Sequence, residues 1–205
     1  MIKILFTYPQ ALPHETRLIE NLMNEEWDFL HVQKPDYSRD ELINFLELIP
    51  QYHHKIILHN HRDLIKEFDL AGVNLNRRDM AELSFEDELT SACDIRDFCV
   101  KNGRIMIKGI QPDLVTFTAQ NFRDIESLPF HTDYVFYSSS NIDLSSSIND
   151  PEILQSFLIQ TNKKVIAMGE VNNDQIKIFE ELGFDGYAML GGIWEKYFTF
   201  VETIQ

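Results

Sequence analysis

The chain has 205 residues, 44% of them apolar, and a formal net charge of −15. That balance argues against nucleic acid, because binding a polyanion needs a basic face. No apolar run approaches the ~18–20 residues of a membrane span, and the first residues turn polar too soon for a secretory signal. Acidity does not argue against a phosphorylated small molecule, which backbone N–H groups can hold without net positive charge.

Short runs rich in Ile, Val, Leu and Phe alternate with segments of helical period. Residues 3–7 open the series as a strand, and 15–24 follow as a helix with Leu18, Ile19, Leu22 and Met23 on one face. A strand at 27–32 leads to Ser38-Arg-Asp-Glu41, a capping signal for a helix reaching to Pro50. Its Leu42, Phe45, Leu46 and Ile49 keep the three/four spacing of a buried face. Strands at 55–58 and 71–75 come next, then a helix over 83–101.

That helix would carry both cysteines, Cys93 and Cys99, six apart and on different sides, so they are not expected to pair with each other. With no CxxC motif, a reduced, cytoplasmic compartment is expected. Residues 104–110 also read as a strand. They make a ninth candidate for eight places and are assigned as an extra element before the strand at 114–118.

A strand at 133–138 runs into residues 138–150, dense in Ser, Asn and Asp and read as a long loop. Helices at 151–160 and 172–182 flank a strand at 164–168, and 186–190 is the last strand. The end of the chain is rich in aromatics, with Trp194, Tyr197, Phe198 and Phe200. They pack onto the barrel or, on the other reading, form a homodimer contact. Eight nearly continuous apolar strands alternating with helices predict parallel pairing, right-handed crossovers and a (β/α)8 TIM barrel. No Pro- or Gly-rich linker interrupts residues 1–205, so one domain is expected.

In such a barrel the site is built at the C-terminal ends of the strands. Gly169 ends the seventh strand and Gly191-Gly192 follow the eighth, where backbone N–H groups can approach a phosphate closely. A helix N-terminus near Asn172 or Asn173 adds a favourable partial charge. Glu170 would repel phosphate if it pointed inward. His31 and Gln33 share one face of the second strand, and His31 lines the pocket if that face is the interior. His59 and His61 flank the end of the third strand as a polar loop or as proton-transfer groups; metal binding by them lacks a third ligand. His53 and His54 precede that strand and belong to the opposite end. Lys34, Arg77 and Arg78 are either contacts to a phosphorylated ligand or surface charges.

The ending Val-Ile-Ala-Met-Gly-Glu-Val (165–171), then Glu-Leu-Gly-Phe-Asp-Gly-Tyr-Ala-Met-Leu-Gly-Gly-Ile-Trp (181–194), resembles that of the thiamine-phosphate synthase/TenI family. Leu-His-Val-Gln-Lys-Pro (30–35) is similar to the family's second-strand ending, with Gln33 where an Arg is usual. Residues 55–61, 71–79, 118–122 and 133–138 resemble the family's next blocks in order, and only about 80–112 looks longer than usual.

The resemblance implies thiamine-biosynthesis chemistry on a phosphorylated thiazole or pyrimidine. It places the synthase's Mg²⁺ ligands at Asn60 and Asp79, of which only Asp79 is an acid. It places the pyrophosphate-gripping loop at 138–150, which holds no Lys or Arg. The TenI-type histidine falls at Gln120, an amide that cannot exchange a proton near neutral pH. Two readings therefore stand: a divergent enzyme, with His59 or His61 substituting, and a catalytically inactive paralogue that binds a phosphorylated ligand or a partner protein.

Overall fold

The computed structural model describes residues 1–85, 98–138, 151–169, 171, 173–189 and 194. Its elements are β1 (Ile2–Phe6), α1 (Glu15–Met23), β2 (Phe29–Val32), α2 (Arg39–Glu47), a 3-10 turn (Pro50–Lys55), β3 (Ile56–Leu58), α3 (Leu64–Glu67), β4 (Gly72–Asn76) and α4 (Arg77–Glu82). There follow β5 (Ser84–Phe85), β6 (Phe98–Lys101), β7 (Arg104–Ile107), β8 (Leu114–Ala119), α5 (Phe122–Glu126), β9 (Tyr134–Ser138), α6 (Pro151–Gln160), β10 (Val165–Gly169), α7 (Asn173–Leu182) and β11 (Gly186–Met189). Eight of the strands close into a parallel barrel in the order β1-β11-β10-β9-β8-β4-β3-β2, the (β/α)8 architecture expected. No helix among the described residues is long and apolar enough to cross a membrane.

Alternation along each strand divides the core in two. Ile4, Phe6, Ile57, Tyr134, Phe136, Ile166 and Ala188 fill the barrel, while Leu5, Leu30, Val32, Leu58, Val73, Leu75 and Val135 face the surrounding helices. Ser38 and Glu41 form the expected capping box: the Ser38 hydroxyl accepts from the Glu41 N–H, and the Glu41 carboxylate accepts from the Ser38 N–H. The helix it starts buries Leu42, Phe45 and Leu46 against the barrel wall.

The N-terminal end of the barrel carries a repeated clamp. Asp28, Asp133 and Asp185 each donate a backbone N–H to the carbonyl of Lys3, Val115 or Val165 on the neighbouring strand. Each carboxylate then accepts the N–H of the same residue at 2.8 Å. An amide at the first or second position of three strands is thereby satisfied by a carboxylate.

Two expectations are corrected. Residues 83–101 are not one helix: β5 and β6 lie within that span, and 86–97 fall outside the described residues. β5, β6 and β7 form a separate three-stranded sheet, so the extra strand set aside from the barrel is real. β6 and β7 pair antiparallel across Asn102-Gly103, both at positive φ, the geometry of a tight two-residue hairpin. Cys99 thus sits on a strand, buried and disulfide-bonded, and the sequence's only other cysteine is Cys93. The expectation of a free thiol on a helix does not hold for Cys99, and Cys93 lies outside the described residues. Residues 139–150, and with them the long loop, lie outside the described residues, as do Tyr197, Phe198 and Phe200. Trp194 is buried and donates its indole N–H to the Phe6 carbonyl at 2.9 Å, packing onto the end of β1.

Barrel closure depends on two glycines. A Cβ at Gly72 would stand 2.1 Å from the Leu114 carbonyl oxygen, and one at Gly186 would stand 2.3 Å from that of Ile2. Gly72→Ala and Gly186→Ala should each destabilise the fold by about 1–3 kcal/mol through backbone displacement. Urea unfolding checks this, and an unchanged midpoint would mean that the β4–β8 and β1–β11 seams can widen freely.

Candidate functional site

Polar side chains enter the barrel interior from four strands and from the residue after β3, among the aromatic and aliphatic side chains that fill the rest. β2 contributes His31, β4 Asn74, β8 Thr116 and Thr118, and β9 Tyr134, with His59 directly after β3. Register brings them together: Asn74 pairs with Thr116, and Thr116 with Tyr134, in adjacent strands. His31 Nε2 lies 2.8 Å from the Tyr134 hydroxyl, and His31 Nδ1 lies 2.9 Å from His59 Nε2. The Asn74 amide is 3.3 Å from His59 Nδ1, 3.1 Å from Thr118 Oγ1 and 2.8 Å from Thr116 Oγ1. A continuous hydrogen-bonded chain therefore runs across the barrel from Tyr134 to Thr118.

Aromatic rings seal the chain. Phe6 stacks on His31 with ring centroids 4.9 Å apart, and Phe136 meets His31 edge-on at 4.8 Å. Burial, reinforced by the neighbouring His59, pushes the His31 pKa well below the usual imidazole range. Burial first, then the Arg62 charge, lowers His59 to about 3. Burial also holds the Tyr134 phenol well above its ordinary value. At neutral pH the whole chain is uncharged.

The other residues singled out from the sequence divide between engaged and outlying positions. Lys34 is fully buried. Its ammonium donates to the carbonyls of Tyr8 and Gln10 at 2.7 and 2.8 Å and to the Glu15 carboxylate, so its three donors are all used. Burial lowers the Lys34 pKa and raises that of Glu15, and their pairing opposes both shifts. Gln33 is half-buried, with its backbone tied at both N–H and carbonyl to the Thr7 hydroxyl. Asn60 donates its amide to the Lys34 carbonyl at 3.0 Å, while its Oδ1 is buried without a partner among the described residues.

His61, at φ 48°, turns away from the barrel and donates from Nε2 to the Tyr37 carbonyl at 2.9 Å. It lines a rim cleft of about 350 Å³ with Arg39, Arg62, Asp63, Phe98, Ile107 and Lys108. His59 and His61 thus do not converge. Gln120 accepts from the Arg77 guanidinium at 3.2 Å, at the exposed rim. Gly169 ends β10; Glu170, Gly191 and Gly192 lie outside the described residues.

Asp79 is held by Arg62 through two parallel bonds, NH1 to Oδ1 at 3.1 Å and NH2 to Oδ2 at 2.7 Å, and Oδ2 also accepts from the Asn76 N–H. A Mg²⁺ ion at Asp79 would have to displace that guanidinium. Among the described residues no three His, Cys, Asp or Glu side chains cluster to hold a metal. The donor set at Asn60 and Asp79 therefore does not fit a divalent cation.

Asn74, Thr116, Thr118, Tyr134 and Arg62 were not singled out from the sequence. The available signal was a polar residue at the inward parity of an otherwise apolar run, as in Gly-Val-Asn-Leu-Asn (72–76) and Leu-Val-Thr-Phe-Thr (114–118).

Two outcomes follow from this geometry. Both imidazoles are neutral in the fold but take a proton near pH 6.5 once unfolded. Stability is therefore full above pH 6.5 and falls by about 1.4 kcal/mol per pH unit per histidine as the pH drops toward 3. Urea titrations between pH 8 and 5 should show this decline, shallower in His59→Gln; equal slopes would place the proton uptake elsewhere. Lys34→Met should cost about 3 kcal/mol by leaving the Glu15 carboxylate buried alone, and Lys34→Met with Glu15→Leu should recover much of it. Thermal unfolding of the two variants decides that, and equal losses would show that the pair acts through packing.

No protein-family model matches the chain, and no curated protein does. Among solved structures, it is similar to a thiamine phosphate pyrophosphorylase from Bacteroides thetaiotaomicron, at 26% identity and a TM-score of 0.69, covering 96% of this chain and 86% of that one. A thiamine phosphate pyrophosphorylase from Pyrococcus furiosus aligns at 14% identity and a TM-score of 0.64, over 92% of this chain and 85% of that one. An HpcH/HpaI aldolase from Desulfitobacterium hafniense shares the fold at 9% identity and a TM-score of 0.60, over 99% of this chain and 91% of that one. With its eight parallel strands closed into a barrel, the chain has a thiamine-phosphate-synthase/TenI-like fold.

Proposed function

We propose that this chain is a thiamine-biosynthesis-type enzyme that acts on a phosphorylated thiazole or pyrimidine at the C-terminal mouth of the barrel. Its chemistry is metal-independent proton transfer, as in a TenI-like isomerisation, rather than displacement of pyrophosphate. The observation that carries this reading is the neutral His31–His59 pair built into the barrel. An apolar filling would close the same shaft without the desolvation of two imidazoles, an amide and three hydroxyls. A linked set of exchangeable protons that passes through the half-buried His59 and ends at the half-buried Thr118 suits a proton-transfer site.

The contact between His59 and Asn74, at 3.3 Å, is the longest along the route from Tyr134 and the one able to open to a ligand. Hydrogen bonds in ligand-free sites are commonly long and tighten on binding. Phosphate would be held by the loops after β10 and β11, at Gly169, Gly191 and Gly192.

A second reading, a catalytically inactive paralogue that binds a phosphorylated ligand, is favoured by one observation: the Asp79 carboxylate is fully engaged by Arg62. Thermal unfolding against thiazole phosphate, thiamine phosphate, pyrophosphate and inorganic phosphate, each with and without Mg²⁺, tests both readings. A ligand at 100 times its Kd should add about 2.7 kcal/mol. The expected result is stabilisation by the thiazole phosphate, unchanged by Mg²⁺, with turnover lost in His59→Gln while binding persists. Stabilisation without turnover in the unmodified protein would select the inactive paralogue. No stabilisation by any of these ligands would reject both.

A further inference from the structure

The chain of hydrogen bonds can run in either of two directions, because each neutral imidazole carries one proton and offers one lone pair. In the first, the Asn74 amide gives its two protons to His59 Nδ1 and Thr118 Oγ1, and its Oδ1 accepts from Thr116. His59 then carries its proton on Nε2 and gives it to His31 Nδ1, and His31 gives its own from Nε2 to the Tyr134 oxygen. The phenolic proton is left over. Tyr134 is 2% exposed, and among the described residues its hydroxyl has one polar neighbour, His31 Nε2. An orphaned buried O–H is costly.

In the second direction Tyr134 donates to His31 Nε2, His31 donates from Nδ1 to His59 Nε2, and His59 is left with its proton on Nδ1. That proton needs an acceptor, which a half-turn of the Asn74 amide supplies, since amide O and N have the same shape. Thr118 then donates to the turned Oδ1. Thr116 accepts from the turned Nδ2 and sends its own proton to the Val73 carbonyl at 3.5 Å. The second turned Nδ2 proton faces Thr118 Oγ1 at 3.4 Å, so every buried proton has a neighbouring acceptor in this arrangement, two of them through long bonds.

We propose that Tyr134 is a positioning residue: its single hydroxyl proton fixes the direction of the chain and holds both His31 and His59 as Nδ1–H tautomers. Free neutral histidine prefers the proton on Nε2, so the assignment is distinctive. Its catalytic consequence rests on the proposed function, because His59 then meets the ligand as an Nδ1–H donor. The tautomers themselves do not depend on that reading.

Long-range ¹H–¹⁵N correlation spectra of the full-length ¹⁵N-labelled protein at pH 7.5 test the proposal, since they show which nitrogen of each ring is protonated. The expected wild-type spectrum has two rings with protonated Nδ1 and bare Nε2, and in Tyr134→Phe both revert to Nε2–H. With the two rings assigned through His31→Gln and His59→Gln spectra, Nε2–H at both His31 and His59 in the wild type would overturn the proposal outright, even if Tyr134→Phe failed to fold. Nδ1–H rings that persist in Tyr134→Phe would remove Tyr134 from the role. Turnover of the phosphorylated thiazole, measured beside the spectra, should lose kcat in Tyr134→Phe with KM retained. Nδ1–H tautomers in a wild type without turnover would leave the proposal standing and defeat the proposed function instead.

Discussion

Closing eight parallel strands into a barrel leaves a shaft that only side chains can fill, and each strand must supply them from alternate residues. In this chain the parity gives Ile2, Ile4, Phe29, Ile57, Leu114 and Ile166 to the interior, with glycine at 72 and 186 where a neighbouring strand comes too close for a Cβ. The same parity delivers His31, Asn74, Thr116 and Thr118, and Tyr134 from the first position of β9. A one-residue slip in any of these strands would exchange its polar residues for aliphatic ones and break the chain between the histidines.

Neutrality makes the polar interior tolerable. A charged imidazole packed against Phe6 and Phe136 would lose most of its hydration, which is why the pKa values of both histidines fall. Uncharged and hydrogen-bonded on both nitrogens, the rings carry a much smaller penalty. The arrangement resembles other buried polar networks, in which satisfaction of every donor fixes one side-chain geometry. Positive charge is kept to one side: Arg62 is locked between Asp79 and the Asn74 carbonyl, where it disfavours protonation of His59 without entering the chain.

Much of the fold was legible because its signals are local. Eight apolar runs were long enough to be strands, and Ser38 with Glu41 announced a helix start that the structure reproduces. The insertion after α4 was misread for an equally local reason: Asn102-Gly103 stands between Cys99-Val100-Lys101 and Arg104-Ile105-Met106, a hairpin signature, but helical periodicity was extended up to it. The site was less legible because its contacts cross between strands. Alternation places His31 and Gln33 on one face, yet nothing local tells that Tyr134, 103 residues later, meets His31. Asn74 and Thr116 become neighbours only because β8 pairs with β4 across the whole insertion. Lys34 reads as a surface cation until the fold places Glu15 and two loop carbonyls around it.

A phosphorylated ligand on a chain of net charge −15 raises an electrostatic difficulty that the side chains do little to relieve. Lys34 is consumed by Glu15, Arg62 by Asp79, and Arg77 reaches Gln120. Held in partly or fully buried ion pairs, the first two cannot turn to an incoming anion without abandoning a carboxylate, which costs more than a new phosphate contact returns. Recognition of phosphate, on the proposed reading, therefore falls to backbone N–H groups, whose partial charges carry no counter-ion to displace. That division also suits an uncharged proton-transfer chain. A ligand anchored by backbone dipoles brings its own negative charge to the mouth, and a neutral His59 meets it without the repulsion that a carboxylate at the same place would impose.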